Sequence, residues 1–418
     1  LEKYLDRLEQ IGIVGKATDP MQFMYLEDNQ ENQLKRAQKF YEENKRGTLP
    51  GMTNQKKSKI NIGYFSSDFR NHAVSHLMTR ILELHDQSKF NIYAYSLSEI
   101  NDTYTERIRS AVFSFRKIKH LADIEIVNLA RNDQLDIAID LNGYTKNNRM
   151  NIFSYRLAPI QINYLGYPSS LGSQCYDYLL ADELVIPKEN KKFFTEKVIY
   201  LPDCHLPQDN TRRQPNKKFS REELGLPRDG FVYTCFNKIE KITRKEFKIW
   251  IRLLKKVDKS VLWLIKPHET AIDSIYSELA NNGLNKDRVI FAKRMTLEDH
   301  LSRHFYGDIF LDTFNYNAAT TASNALLCGL PIITLLGNSY CSRIAGSILS
   351  ACNLKELITY NQKEYEDKAY ELATNKNMFN NIKEKVKNIQ NCSFFDSKKF
   401  TTNLENTYID IIDSHNYN

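Results

Sequence analysis

The sequence predicts an α/β protein with two doubly wound parallel-sheet lobes, on three observations. Short apolar runs such as INIGYF, FNIYAYSL and LDIAIDL alternate with segments whose apolar residues recur every three or four positions, the pattern of parallel strands covered by helices. The alternation starts afresh after a polar stretch with four prolines, LPDCHLPQDNTRRQPNKKFSREELGLPR, residues 201–228. The length of 418 residues also exceeds what one hydrophobic core usually serves.

In chain order, residues 1–58 read as a helical segment, with Pro20 opening an amphipathic run MQFMYLEDNQENQLKRAQKFYEEN. Residues 59–205 form the first lobe: strand INIGYF, a helix from Ala73 to Leu84, strand FNIYAYSL, then TERIRSAV, IEIVNLAR, LDIAIDL and the β-rich IQINYLGY. Residues 206–228 are the expected linker. Residues 229–418 form the second lobe: FVYTCF, a helix from Arg244 to Lys256, SVLWLI, a helix near Ala271 to Ala280, RVIFA, a helix from Leu297 to Phe305, DIFLDT, the helix of TTASNALLCG, strand LPIITLL, and helices from about Asn361 onward. Strand carboxyl ends in such sheets face the ligand, so the cleft between the lobes is the expected site.

Composition narrows the class. The net charge of +7 is spread among interspersed Lys, Arg, Asp and Glu, which argues against a nucleic-acid partner. No apolar run approaches the roughly 18 residues of a membrane span, and the first 30 residues are too charged for a signal peptide. The seven cysteines stand singly, without metal-ligand spacing, as buried small hydrophobes in a reducing compartment would. A cytoplasmic protein without a membrane span is expected.

Neither lobe carries GxGxxG, GxxxxGK[ST] or Asp-x-Asp, so a bound diphosphate would have to be neutralised by side chains and helix ends. The strongest candidate is Asp312 to Thr334, where a strand ends in a turn and a helix opens at Thr320 and Thr321; the alternative is that one of these merely caps the helix. Lys241, in CFNKIEKIT, falls between a strand and the next helix, where a cation could offset charge growing on a leaving group; the alternative is a solvated lysine, the more common state of a lone Lys. His72, in SSDFRNHAVSH, falls just after the first strand, as a general base or a residue orienting an acceptor hydroxyl. His76 lies one turn later, but HEXXH and a third ligand are missing, so no metal is expected.

Taken together, IGYFSSDFRNHAVSHLM, DLNGYTKNNR, LAPIQINYLGYPSSLG, CFNKIEKI, SVLWL, DIFLDT with TTASNALLCGLPIIT, and SRIAGSIL resemble, in order, the catalytic region of the protein O-GlcNAc transferase and SPINDLY family, glycosyltransferase family 41. The resemblance runs from about Met21 to near the C-terminus. It implies a GT-B fold of two Rossmann-like lobes, the helical start being the end of a tetratricopeptide extension. It further implies that His72 is the proton acceptor or an acceptor-site residue, that Lys241 contacts the donor diphosphate, and that Thr320 and Thr321 bind it. His300 and Arg303 line the uridine site on the same basis. Ala319, Asn324 and Leu297 depart from the family pattern, at positions where many members have His and Asp near the ribose and where animal enzymes have Lys beside the base; Lys238 adds charge where an amide is usual.

The implied activity is an inverting, metal-independent transfer of N-acetylglucosamine from UDP-GlcNAc to Ser or Thr of a polypeptide acceptor, the nucleotide sugar being a co-substrate and no cofactor being needed. Two alternatives stay open: the same fold with GDP-fucose or a UDP-hexose as donor, and a nucleotide-sugar-binding scaffold of weak activity.

Overall fold

The computed structural model describes residues 7–47, 57–212 and 214–416. The chain divides into two compact units. One comprises Leu1–Met24, Asn29–Thr211 and Phe394–Asn418, the other Tyr25–Asp28 and Arg212–Ser393.

The first unit holds a seven-stranded parallel sheet in the order β3-β2-β1-β4-β5-β6-β7. Its strands are β1 (Ile60–Ser66), β2 (Phe90–Ser96), β3 (Ser114–Lys117), β4 (Ile137–Asp140), β5 (Ile160–Asn163), β6 (Tyr178–Ala181) and β7 (Lys197–Tyr200). β1 pairs β4 in the register Ile62↔Ile137 and Tyr64↔Ile139. All four residues of β4 are buried, which is why Ile137, Ala138 and Ile139 are apolar on both faces, and the buried Asp140 that ends the strand is held by the Tyr176 hydroxyl and the N–H groups of Asn142 and Gly143.

The second unit holds a six-stranded parallel sheet in the order β10-β9-β8-β11-β12-β13. Its strands are β8 (Val232–Cys235), β9 (Val261–Ile265), β10 (Val289–Ala292), β11 (Ile309–Leu311), β12 (Ile332–Leu335) and β13 (Ile358–Thr359). In each unit the first strand lies beside the fourth, so the winding reverses between β1 and β4 and between β8 and β11. Those are the switch points at which open α/β sheets bind ligands, beyond the strand carboxyl ends.

The division of the chain differs from the sequence expectation in three places. The terminal helix, Ser397–Asn416, belongs to the first unit and not to the second. Its Leu404, Tyr408 and Ile411 join the cluster of Ile62, Tyr64, Ile137 and Ile139, and Tyr408 shares a 3.0 Å hydrogen bond with Tyr64. Glu405 accepts from His85 Nδ1 at 3.0 Å and from the Asp86 backbone N–H at 2.7 Å. The N-terminal helical run is broken into Pro20–Phe23 and Gln30–Asn44, because Asn29 caps the second helix by accepting from the Asn32 N–H. Between the two helices, Tyr25–Asp28 packs with the second unit. The linker is not a free spacer: the boundary falls between Thr211 and Arg212, and Gln214 is already bonded to the Leu327 carbonyl at 2.8 Å.

Candidate functional site

At the switch point of the second unit, β8 runs into Asn237–Lys241 and β11 into the turn Asp312–Ala319. Asn237 ties them together, its Nδ2 donating to Asp312 Oδ1 at 3.1 Å and to Thr313 Oγ1 at 2.8 Å. The Asp312 carboxylate organises the turn. Its Oδ1 accepts from the N–H groups of Thr313 and Ala318, each at 2.8 Å, and its Oδ2 accepts from Thr334 Oγ1 at 2.8 Å. Burial pushes this carboxyl up from its ordinary range, and the nearby Lys241 ammonium opposes the shift.

Lys241 closes the short 3-10 turn Ile239–Lys241. Its Nζ donates to the Asn317 carbonyl at 3.0 Å and stands 3.7 Å from the centroid of the Tyr316 ring. Burial draws its pKa down to about 8, against the pull of Asp312. The helix Thr320–Leu327 opens three residues after Asn317. Ala319 is its N-cap residue and makes no side-chain cap bond, so neither Thr320 nor Thr321 holds the capping position. The first turn therefore presents N–H groups and two hydroxyls without a capping acceptor, the usual make-up of an anion site. Lys238 stands exposed just before the 3-10 turn.

A second group surrounds Phe236. The Arg303 guanidinium lies 4.5 Å from its ring centroid, and the rings of His300 and His304 lie at 5.6 Å and 5.0 Å. Arg303 donates from Nη1 to the Lys293 carbonyl at 2.7 Å and from Nη2 to His300 Nδ1. Burial lowers His300 to about 2 and His304 to about 3, so both rings are neutral at pH 7 and are polar surfaces, not charges. Arg303, lowered by burial to about 10, keeps its charge. Asn324, on the helix Thr320–Leu327, is buried and accepts at Oδ1 from Arg212 Nη2 at 2.7 Å.

His72 belongs to the first unit. There Ser67 and Asn142 join β1 to β4, the Ser67 N–H donating to Asn142 Oδ1 at 2.7 Å and Asn142 Nδ2 to Ser67 Oγ at 2.8 Å. His72 is the N-cap of Ala73–Leu84; its Nδ1 accepts from the Val74 N–H at 3.4 Å and lies 3.5 Å from Asp68 Oδ1. Its side chain is 39% exposed, enough for a reacting group to reach it. His76 takes a separate partner, Asn71 Oδ1 at 2.7 Å, and a ring contact with Tyr104, so the two histidines form no metal pair. Among the described residues one His/Cys/Asp cluster has metal-like spacing, Asp182, Cys204 and His205. Asp182 is already occupied there: it accepts from the N–H groups of Leu184, Val185 and His205 and from His205 Nδ1, which makes the cluster a buried structural knot.

The sequence profile of glycosyl transferase family 41 matches residues 43–217 and 212–404. The chain belongs to this family. A probable UDP-N-acetylglucosamine–peptide N-acetylglucosaminyltransferase SEC of Arabidopsis thaliana is 33% identical over 365 residues, 85% of this chain and 37% of the relative. A probable transferase of the same description, SPINDLY of Petunia hybrida, is 31% identical over 83% of this chain and 38% of its own length. The family 41 chain thus spans well under half of these relatives. An O-GlcNAc transferase of Thermobaculum terrenum, solved as a lysine-to-methionine mutant, superposes with a TM-score of 0.85 at 25% identity, over 94% of this chain and 76% of that one. The two parallel units are those of the GT-B fold. No helix among the described residues is long and apolar enough to cross a membrane.

The structure holds Lys241 on Asn317, three residues before the helix that Thr320 and Thr321 open, puts His300 with Arg303, and places Asn324 on that same helix. It adds Arg212, Asn237, Tyr316 and His304, which the sequence did not single out. Asn237 and Tyr316 fall inside the quoted stretches CFNKIEKI and Asp312 to Thr334, and His304 lies one helical turn after His300, whereas Arg212 carried no signal.

Proposed function

We propose that this family 41 chain transfers N-acetylglucosamine from UDP-N-acetylglucosamine to Ser or Thr hydroxyls of polypeptides, with inversion and without a metal. The observation that carries this reading is the Lys241 ammonium held on the Asn317 carbonyl at the β8/β11 switch point, three residues before the helix Thr320–Leu327 opens without a side-chain cap. The names of the relatives supply the donor and the acceptor class.

In the proposed reaction the acceptor oxygen attacks the anomeric carbon as the bond from that carbon to the β-phosphate oxygen breaks, and UDP leaves. Lys241, the N–H groups and hydroxyls at Thr320 and Thr321, and the exposed Lys238 neutralise the charge gathering on the diphosphate, doing what a divalent cation does in other transferases. His300 and Arg303 hold the base, and Asn324 faces the ribose. The proton of the acceptor hydroxyl passes to His72 or to water.

One observation favours a second reading with the same fold and another donor, GDP-fucose or a UDP-hexose: the Asn324 oxygen is engaged by Arg212. Turnover of UDP-N-acetylglucosamine, a UDP-hexose and GDP-fucose, compared in EDTA, decides between them. Preference for UDP-N-acetylglucosamine, with turnover that persists in EDTA, supports the first reading. Preference for GDP-fucose or the UDP-hexose, or turnover restored only by added magnesium, rejects it.

A further inference from the structure

The segment Tyr25–Asp28 leaves the N-terminal helices and is tied to the second unit at two points. The first is the Asp28 carboxylate. Its Oδ1 accepts from the Ser339 N–H at 2.8 Å and from the hydroxyls of Ser339 and Ser342, each at 2.6 Å. Its Oδ2 accepts from the Asn338 N–H at 2.7 Å and from Asn338 Nδ2 at 3.3 Å. Five donors on one carboxylate, in the turn that follows β12, make a strong charge-assisted anchor. Gly337 permits the approach, since a Cβ there would lie 2.5 Å from Asp28 Oδ2 and 2.4 Å from Ser342 Oγ.

The second point is Tyr25. Its ring stacks on that of Tyr316 with centroids 5.4 Å apart and planes 18° apart, and its carbonyl accepts from Asn315 Nδ2 at 3.1 Å. Tyr316 is the ring beneath the Lys241 ammonium, and Asn317 supplies the carbonyl to which that ammonium donates. The four-residue segment thus joins the Asp28 anchor to the Tyr25 ring, and ring contacts lead on from Tyr25 through Tyr316 to Lys241.

We infer that Tyr25, Asp28 and Tyr316 are positioning residues of the donor site, the Tyr25–Asp28 segment holding the turn Asn315–Asn317 and thereby fixing where the Lys241 ammonium stands. The inference rests on the reading that Lys241 meets the donor diphosphate. A Lys over an aromatic face is attracted by the ring quadrupole, most strongly where water is excluded, so the Tyr316 ring both places the ammonium and favours its charged form. The other titratable groups around Lys241 are Asp312 at the end of β11, Cys235 in β8, Cys341 after β12 and Lys238.

UDP binding by calorimetry tests this on the full chain. The set is the parent protein, Lys241→Ala, Tyr316→Leu, Tyr316→Phe, Tyr25→Leu and Tyr25→Phe, each checked for an unchanged melting transition. The Leu variants keep apolar bulk and lose the ring. They are expected to weaken UDP binding by about threefold or more, and Tyr316→Leu to move the pH at which binding falls off to lower values; the Phe variants are expected to recover both. Leu variants that match the parent in affinity and pH profile, while Lys241→Ala loses affinity, overturn the positioning role alone. An unchanged affinity in Lys241→Ala overturns the diphosphate reading, and this inference with it. If a Leu variant melts early, Asp28→Asn, which keeps both rings and weakens the anchor, decides instead: weaker UDP binding with an unchanged melting transition supports the positioning role, and parent affinity overturns it.

Discussion

Arg212 Nη2 donates a 2.7 Å hydrogen bond to Asn324 Oδ1, joining the first residue of the second unit's main segment to the buried face of the helix Thr320–Leu327. Where an Asp would form an ion pair, Asn gives a charged-to-neutral bond. A double-mutant cycle of Arg212→Ala and Asn324→Ala, followed by urea unfolding, is expected to show a coupling of about 1 kcal/mol. Strict additivity would mean that the contact contributes nothing.

Thr320 and Thr321 are the sharpest test of ligand duty against helix capping. Because Ala319 occupies the cap position, Thr320→Ala with Thr321→Ala should leave the melting temperature within about 2 °C, whereas loss of a true cap costs about 1 kcal/mol. The same double variant should weaken UDP binding by about tenfold or more. A lower melting temperature with unchanged UDP affinity would assign the threonines to the fold.

The lowered pKa of Lys241, about 8, gives a pH signature with a definite sign. Its folded value lies below the unfolded one of about 10.4, so the unfolded chain binds the extra proton between these values and this group adds stability as pH rises through that window. Donor binding moves the opposite way. As the ammonium loses its proton above pH 8, the dissociation constant for UDP should rise, by up to about tenfold per unit. In Lys241→Arg, whose charge persists above pH 12, that dependence should disappear. Isothermal titrations at pH 7, 8 and 9 read both, and equal slopes in the two proteins would remove Lys241 as the source.

The terminal helix is expected to report on the first unit only. Leu404 is fully buried in the cluster with Ile62 and Ile137, so Leu404→Ala should cost about 2–5 kcal/mol. Hydrogen exchange should speed up in β1 and β4 and stay unchanged in β8 and β11. Equal acceleration in both sheets would contradict the division of the chain.

These tests bear mostly on features the sequence does not display. The helices Ala73–Leu84 and Arg244–Lys256 were legible to the residue because local signals set them, the latter through a capping box of Thr243 and Glu246. β6 and β7, of four residues each, and β13, of two, are too short to show a period. Periodicity showed that the last residues are helical but not which core their apolar side packs on, because Tyr408 meets Tyr64 across most of the chain. In the candidate site, Lys241 and the Thr pair were marked by their place at strand ends. Arg212, Tyr25 and Asp28 were invisible for the opposite reason: their contacts join segments far apart in sequence, and a lone Arg, Tyr or Asp in a polar stretch reads as solvated.

Transfer of labelled N-acetylglucosamine from its UDP donor to a Ser/Thr-containing peptide in EDTA, measured for the parent protein and Lys241→Ala, reads both the reaction and the role of the lysine. The parent is expected to transfer the sugar, and the variant to do so with a rate constant at least about a hundredfold lower, the scale of losing one main stabiliser of the leaving group. Equal transfer by both proteins would contradict that role, and UDP binding by the parent with no transfer at all would contradict the proposed reaction.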